Sequence, residues 1–209
     1  MSAMAEGWSE PRSRSRLVLF LIWWAAAAAG GLAGGLLPNP FAGAAVSAAL
    51  VGLLQALAFR PDLRYGAAWF GSTAIAGAIG FAAMLVGALA FSEISGGEPE
   101  LLRQGLATWI GLSALGGLLL AGAQAPLAGR RNLTIGWCAL GLFAGAVLWP
   151  AGFATGHRFG PELASLLFPL ERPAGEPSHS VAQAAAFALA WFFHSVPFGI
   201  LVASSSAER

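Results

Sequence analysis

The sequence predicts an all-α polytopic membrane protein, a bundle of six transmembrane helices, on three observations. Six apolar runs of about 19 to 27 residues follow one another along the chain, each long enough to cross a hydrocarbon layer of roughly 30 Å as a helix. Hydrophobic residues make up 57% of the 209 positions and charged residues only 10%, outside the range of soluble domains. Arginine is dense in alternate connecting segments, as it is where successive loops lie on opposite sides of a bilayer.

The N-terminal tail, 1–16, carries Arg12, Arg14 and Arg16 and leads into the first run, Leu17 to Leu37. Arginines before an apolar stretch containing Ala25 to Ala29 also fit a signal peptide with a small-residue cleavage site. The run continues, however, for about 21 residues, against 7 to 15 for a signal core, so a retained first helix is expected. Pro38-Asn39-Pro40 separates it from the second helix, Phe41 to Phe59. The segment Arg60 to Arg64 leads to the third, Tyr65 to Phe91. The fourth spans Leu102 to Leu127, uninterrupted in its apolar character from Leu106, and Gly129 to Asn132 precede the fifth, Leu133 to Thr155. The sixth, Val181 to Ala203, ends in a short tail, 204–209. Connections this tight make consecutive helices antiparallel neighbours.

The segment His157 to Ser180 is the long exception. Pro161-Glu162 is a good helix start, and Leu163, Leu166, Leu167 and Leu170 follow at helical spacing before Pro173. A short amphipathic helix, 161–170, on the outer membrane surface is expected, with a loop packed over the bundle mouth as the alternative.

Charge fixes the expected orientation. With the N-terminus inside, the cytoplasmic side holds Arg12, Arg14, Arg16, Arg60, Arg64, Arg130, Arg131 and Arg209. The other side holds Arg103, Arg158 and Arg172 among Glu93, Glu98, Glu100, Glu162, Glu171 and Glu176. Both termini are therefore expected to be cytoplasmic, in an inner, plasma or thylakoid membrane. The expected surroundings are the lipid bilayer and other membrane proteins; no basic cluster interleaved with aromatics points to nucleic acid. Cys138 is the single cysteine, so the chain has neither an intrachain disulfide nor a set of thiolates for a metal.

A repeat runs through the cytoplasmic turns. Gln55-Ala-Leu-Ala-Phe-Arg60, then Trp69 and Gly77, corresponds to Gln124-Ala-Pro-Leu-Ala-Gly-Arg130, then Trp137 and Gly145, and the first helix repeats the second half as Arg16, Trp23 and Gly31. Duplicated hairpins produce such a pattern, as does coincidence in a chain rich in glycine and alanine. Trp69 and Trp137 are expected near headgroup level, where amphipathic rings concentrate. Gly30 and Gly34, Gly31 and Gly35, and Gly141 and Gly145 have the four-residue spacing that lets helix backbones approach closely. This hairpin of glutamine, arginine, short turn and tryptophan resembles that of multi-pass membrane proteins common in cyanobacteria and other bacteria. The resemblance covers roughly Gly52 to Trp149 and implies no activity, cofactor or functional residue.

Four polar residues are candidates for ligand binding. Gln55 and Gln124 lie at matching depth, and in an apolar setting each is expected to bond the other, a backbone carbonyl or water. His194 is the one ionisable side chain deep inside a run. Pro197 follows it and leaves the Phe193 carbonyl without its helical donor, so a kink is expected there, with the imidazole bonded to local backbone or a neighbouring helix. The same imidazole is the type of group that ligates a chlorophyll-like pigment or haem, but no second deep histidine is present for a bis-histidine site. Ser113 stands in Gly111-Leu-Ser113-Ala, which resembles the Gly-x-Ser-Gly of rhomboid intramembrane proteases, with His194 and Gly199 resembling their histidine helix. The chain departs from that motif at Ala114 and lacks a histidine and an asparagine in the second helix to stabilise an oxyanion.

No run carries a carboxylate in its apolar core, which removes the usual groups of ion-coupled transport, paired-carboxylate catalysis and hard-metal binding. The sequence thus predicts no catalytic residue, cofactor or metal site. The expected role is a non-catalytic structural or accessory subunit; the alternative is a passive carrier or channel for a small neutral solute, and the remote alternative a rhomboid-like protease.

Overall fold

The computed structural model describes residues 16–59, 63–94, 99–128, 134–167 and 179–205, and these are helical throughout except for the turn at 36–39. The elements are α1 (Arg16–Gly35), α2 (Pro40–Phe59), α3 (Leu63–Ile94), α4 (Pro99–Gln124), α5 (Thr134–Phe143), α6 (Trp149–Leu167) and α7 (His179–Ser205). A 3₁₀ turn, Ala125–Ala128, extends α4, and a π-turn, Ala144–Leu148, joins α5 to α6 as one continuous rod. Six segments are long and apolar enough to cross a membrane: Leu17–Gly35, Pro40–Ala58, Tyr65–Ile94, Pro99–Leu127, Ile135–Gly160 and Val181–Leu201. Six crossings bring α1's start and α7's end to one side of the bundle, here the terminal face; the opposite side is the far face.

The helices close into a ring. Each span packs against its neighbours in sequence, and α7 returns to pack along α1. Glycine sets the spacing at every seam. In α1, Gly30 and Gly34 meet Val51 and Ser47 of α2, whereas Gly31 and Gly35 meet the backbone of α7 at Phe187 and Ala184. Neighbouring residues differ by about 100° around a helix, so two four-residue stripes offset by one position serve two neighbours at once. The doublet Gly116-Gly117 does the same for α4: Gly116 faces Gly80 of α3, and Gly117 faces Gly141 and Gly145 of the fifth span.

The π-turn divides that fifth span between two seams. On an unbroken helix Gly141, Gly145, Gly152 and Gly156 would fall on one side, within about 60° of each other. An extra residue in the turn rotates the remainder of the span by about 100°, so the first two glycines meet α4 and the last two meet Leu189, Ala185 and Ala186 of α7. The turn is marked by the Trp149 N–H bonding back to the Ala144 carbonyl, just ahead of Pro150, which has no N–H to give.

The expected surface helix at 161–170 is replaced by a continuation of α6 through Pro161 to Leu167; 168–170 lie outside the described residues. Gly160 explains the continuation, since it abuts Ala182 and Ala185 and prolongs the α6–α7 seam. α3 and α4 are likewise longer than the apolar pattern suggests, reaching Ile94 and starting at Pro99. Asn39 caps α2 by accepting from the Phe41 and Ala42 N–H groups at 2.9 and 3.1 Å, with Pro40 in the first helical position.

Side chains fill the ring in two layers. Towards the far face, Phe81, Met84, Leu120, Trp149, Phe187 and Trp191 form the larger cluster. Towards the terminal face, Trp23, Trp69, Trp137 and Phe198 form the second. Outside, Leu57, Ile75, Leu115 and Ile135 are 73, 67, 62 and 84% exposed, a surface suited to hydrocarbon. Among the described residues the carboxylates are Glu93, Glu100 and Glu162, all exposed and all near the far face.

Candidate functional site

The buried polar side chains inside the ring are Ser47 and Gln55 on α2, Thr73 on α3, Ser113 and Gln124 on α4, and His194 and Ser195 on α7. Gln55, on α2, accepts a hydrogen bond from the Trp69 indole at 3.3 Å; Gln124, at the end of α4, donates to the Thr73 hydroxyl at 2.8 Å. Both glutamines are buried, but they do not bond each other as the sequence suggests. They grip successive turns of the helix between them. A buried amide takes whatever partner the packing presents, and α3 presents Trp69 and Thr73 on its inward face.

Trp69 and Trp137 lie near the terminal face and point into the bundle, both 3% exposed. Trp69 packs edge-on against Trp23 at 5.7 Å and Trp137 at 6.3 Å between ring centroids, and Trp137 rests on Phe198 at 4.9 Å. Three tryptophans at matching places in the repeated spacing thus converge from α1, α3 and α5.

His194 sits where the two layers meet. Its ring stacks on Trp149 at 4.3 Å and 24°, and on Phe198 at 5.2 Å and 29°, with Trp191 edge-on at 6.2 Å. The imidazole is 3% exposed and its Nε2 has no hydrogen-bond partner within the protein. Trp149 and Phe198 thus both lie roughly parallel to the imidazole at stacking distance. Both helices that frame the imidazole depart from regular α-helical bonding beside it: α7 runs unbroken through Pro197, which has no N–H to give, and Trp149 closes the π-turn.

Ser113 belongs to a different seam. Its hydroxyl donates to the Trp109 carbonyl one turn earlier, at 2.7 Å, on the side of α4 facing Gly145. Among the described residues α4 and α7 do not pack against each other, so Ser113 and His194 are not brought together. The described residues also hold no group of three or more His, Cys, Asp or Glu suited to a metal ion. Cys138 is half-buried and unpaired by any disulfide.

One polar residue has no counterpart among the candidates read from the sequence. Gln183, on α7, donates to the Gly35 and Leu37 carbonyls at 3.1 and 2.7 Å, tying the end of α1 to the start of α7 at the far face. Its signal is a lone glutamine at the mouth of the sixth apolar run, on the same side as the Pro38-Asn39-Pro40 turn. Ring closure makes it meaningful, and ring closure is not written in local spacing. Compared with known proteins, the chain matches no family model, no curated protein and no solved structure.

Proposed function

We propose that the chain acts in the membrane without catalysis, as a structural or accessory subunit assembled from repeated hairpins. The observation that carries this reading is the filled interior. Phe81 touches Trp149, Phe187 and Trp191 with ring centroids 4.8 to 5.6 Å apart, so aromatic rings from three spans occupy the middle of the bundle. A solute path along that axis would need those rings to swing aside together, against close packing. The hydroxyl of Ser113 is engaged with backbone and has no imidazole beside it, which supports a non-catalytic reading.

A passive carrier for a small neutral solute is the second reading, favoured by one feature: the π-turn and Pro197 each free a backbone carbonyl from regular α-helical bonding beside His194, inside the bundle. Stopped-flow light scattering on proteoliposomes separates the two. Water, glycerol and urea permeabilities should equal those of protein-free vesicles, and purification from the native membrane should yield a second membrane protein in fixed ratio. Permeability above the vesicle baseline that changes in Trp149→Ala would replace the subunit with the carrier. A serine-directed fluorophosphonate should leave the protein unlabelled; labelling lost in Ser113→Ala would make it an enzyme.

A further inference from the structure

The buried Trp109 indole has no hydrogen-bond partner within the protein and stands alone among apolar neighbours, between Phe91 and Phe153. The box around His194 is different. There the Trp149 Nε1, Trp191 Nε1 and His194 Nε2 atoms are all buried and unpartnered within the protein, on three mutually touching rings with centroids 4.3, 5.5 and 6.2 Å apart. Buried polar groups in native proteins find partners, and three in one place point to a shared one. All three lie on two helices whose regular hydrogen bonding loses a bond near that level, at the π-turn and at Pro197.

We propose that this box is a binding site for a water-sized, hydroxyl-bearing molecule, held by the indole N–H groups of Trp149 and Trp191 and by His194 Nε2. The chemistry of the three groups selects the ligand. Indole nitrogens only donate, so the ligand must accept twice; an imidazole with its proton on Nδ1 presents Nε2 as an acceptor, so the ligand must also donate once. A hydroxyl oxygen has two lone pairs for the indoles and a proton for Nε2. A cation would find ring faces, but the described carboxylates, Glu93, Glu100 and Glu162, all stand exposed near the far face and none balances it. An anion finds no arginine among the box residues. Water is the smallest molecule with this chemistry and commonly makes two to four hydrogen bonds when buried, so it is the ligand assigned to the box.

This inference does not depend on the subunit reading, because a resident molecule that exchanges with bulk need not cross the membrane. The test uses the full chain in lipid nanodiscs with 15N-labelled tryptophan, water being the probe. Indole resonances are assigned through Trp149→Phe, Trp191→Phe and Trp109→Phe. The Trp149 and Trp191 indole protons should show cross-relaxation with water, and that of Trp109 should show none. His194→Phe, which keeps a stacking ring and removes the polar nitrogen, should abolish both water contacts, and His194→Gln should retain them. Dry indoles at Trp149 and Trp191 in the native chain would overturn the proposal, as would water contacts that survive His194→Phe. If His194→Phe fails to fold, the contrast between Trp109 and the other two indoles in the native chain still decides.

Discussion

Gln55 and Gln124, from the two helices that flank α3, hold its inward face, one through Trp69 and the other through Thr73, four residues and one turn apart. Hydrogen bonds between membrane helices are modest, averaging roughly 0.6 kcal/mol in double-mutant cycles, because separated helices also find partners. Gln124→Leu and Thr73→Val should therefore each lower thermal stability in detergent by about 1 kcal/mol or less. Measured together, they should show a coupling of that size. The pair Gln55→Leu and Gln124→Leu should instead be additive, and coupling between the two glutamines stronger than that between Gln124 and Thr73 would restore the direct contact the sequence suggests. The polar residues that matter inside the ring are visible in the sequence as exceptions in apolar runs. Their partners are not, since an amide reaches several neighbours and only the packing around α3 chooses among them. His194 is legible as an anomaly beside Pro197, but its aromatic box requires Trp149 from another span.

Helix positions are legible within a few residues for most spans, because length and apolarity alone decide what can cross a bilayer. Which face each helix turns to its neighbours is only half legible. The stripes Gly30/Gly34 and Gly31/Gly35 announce two seams on α1, and they serve α2 and α7. Gly141, Gly145, Gly152 and Gly156 look like one stripe until the π-turn splits them, and Pro150 is the one hint of that turn. Space around the glycines gives a sharp test. A Cβ on Gly80 would lie 2.6 Å from the Gly116 carbonyl oxygen, which is backbone and cannot rotate away, whereas Gly111 and Gly122 have open space on the outward side of α4. Gly80→Ala should thus destabilise the bundle by about 1–3 kcal/mol, the usual range for overpacking. Gly111→Ala and Gly122→Ala should be neutral or gain up to about 1 kcal/mol from restricting the unfolded chain. Thermal unfolding of the three purified variants ranks them; equal losses at all three positions would mean that the seams are not set by glycine.

At the scale of the whole molecule, the seam between α1 and α7 turns a row of hairpins into a ring. It joins the first and last crossings through Gly31, Gly35 and the Gln183 bonds. Such a ring places the start of α1, the α2 and α4 ends, the α3 and α5 starts and the end of α7 on the terminal face, the side to which the sequence assigns most arginines. We propose from the positive-inside rule that this face is cytoplasmic. In a Cys138→Ala background, Ser13→Cys and Ser205→Cys should resist an impermeant maleimide applied to intact cells and react after permeabilisation. Ser95→Cys, in the connection between α3 and α4, should react from outside at once. The reverse pattern would turn the molecule over in the membrane and leave its fold intact. Labelling of one terminus alone would be more serious: it requires an odd number of crossings, and a first and last span that enter from opposite sides cannot pack as antiparallel neighbours, so the seam that closes the ring would go with it.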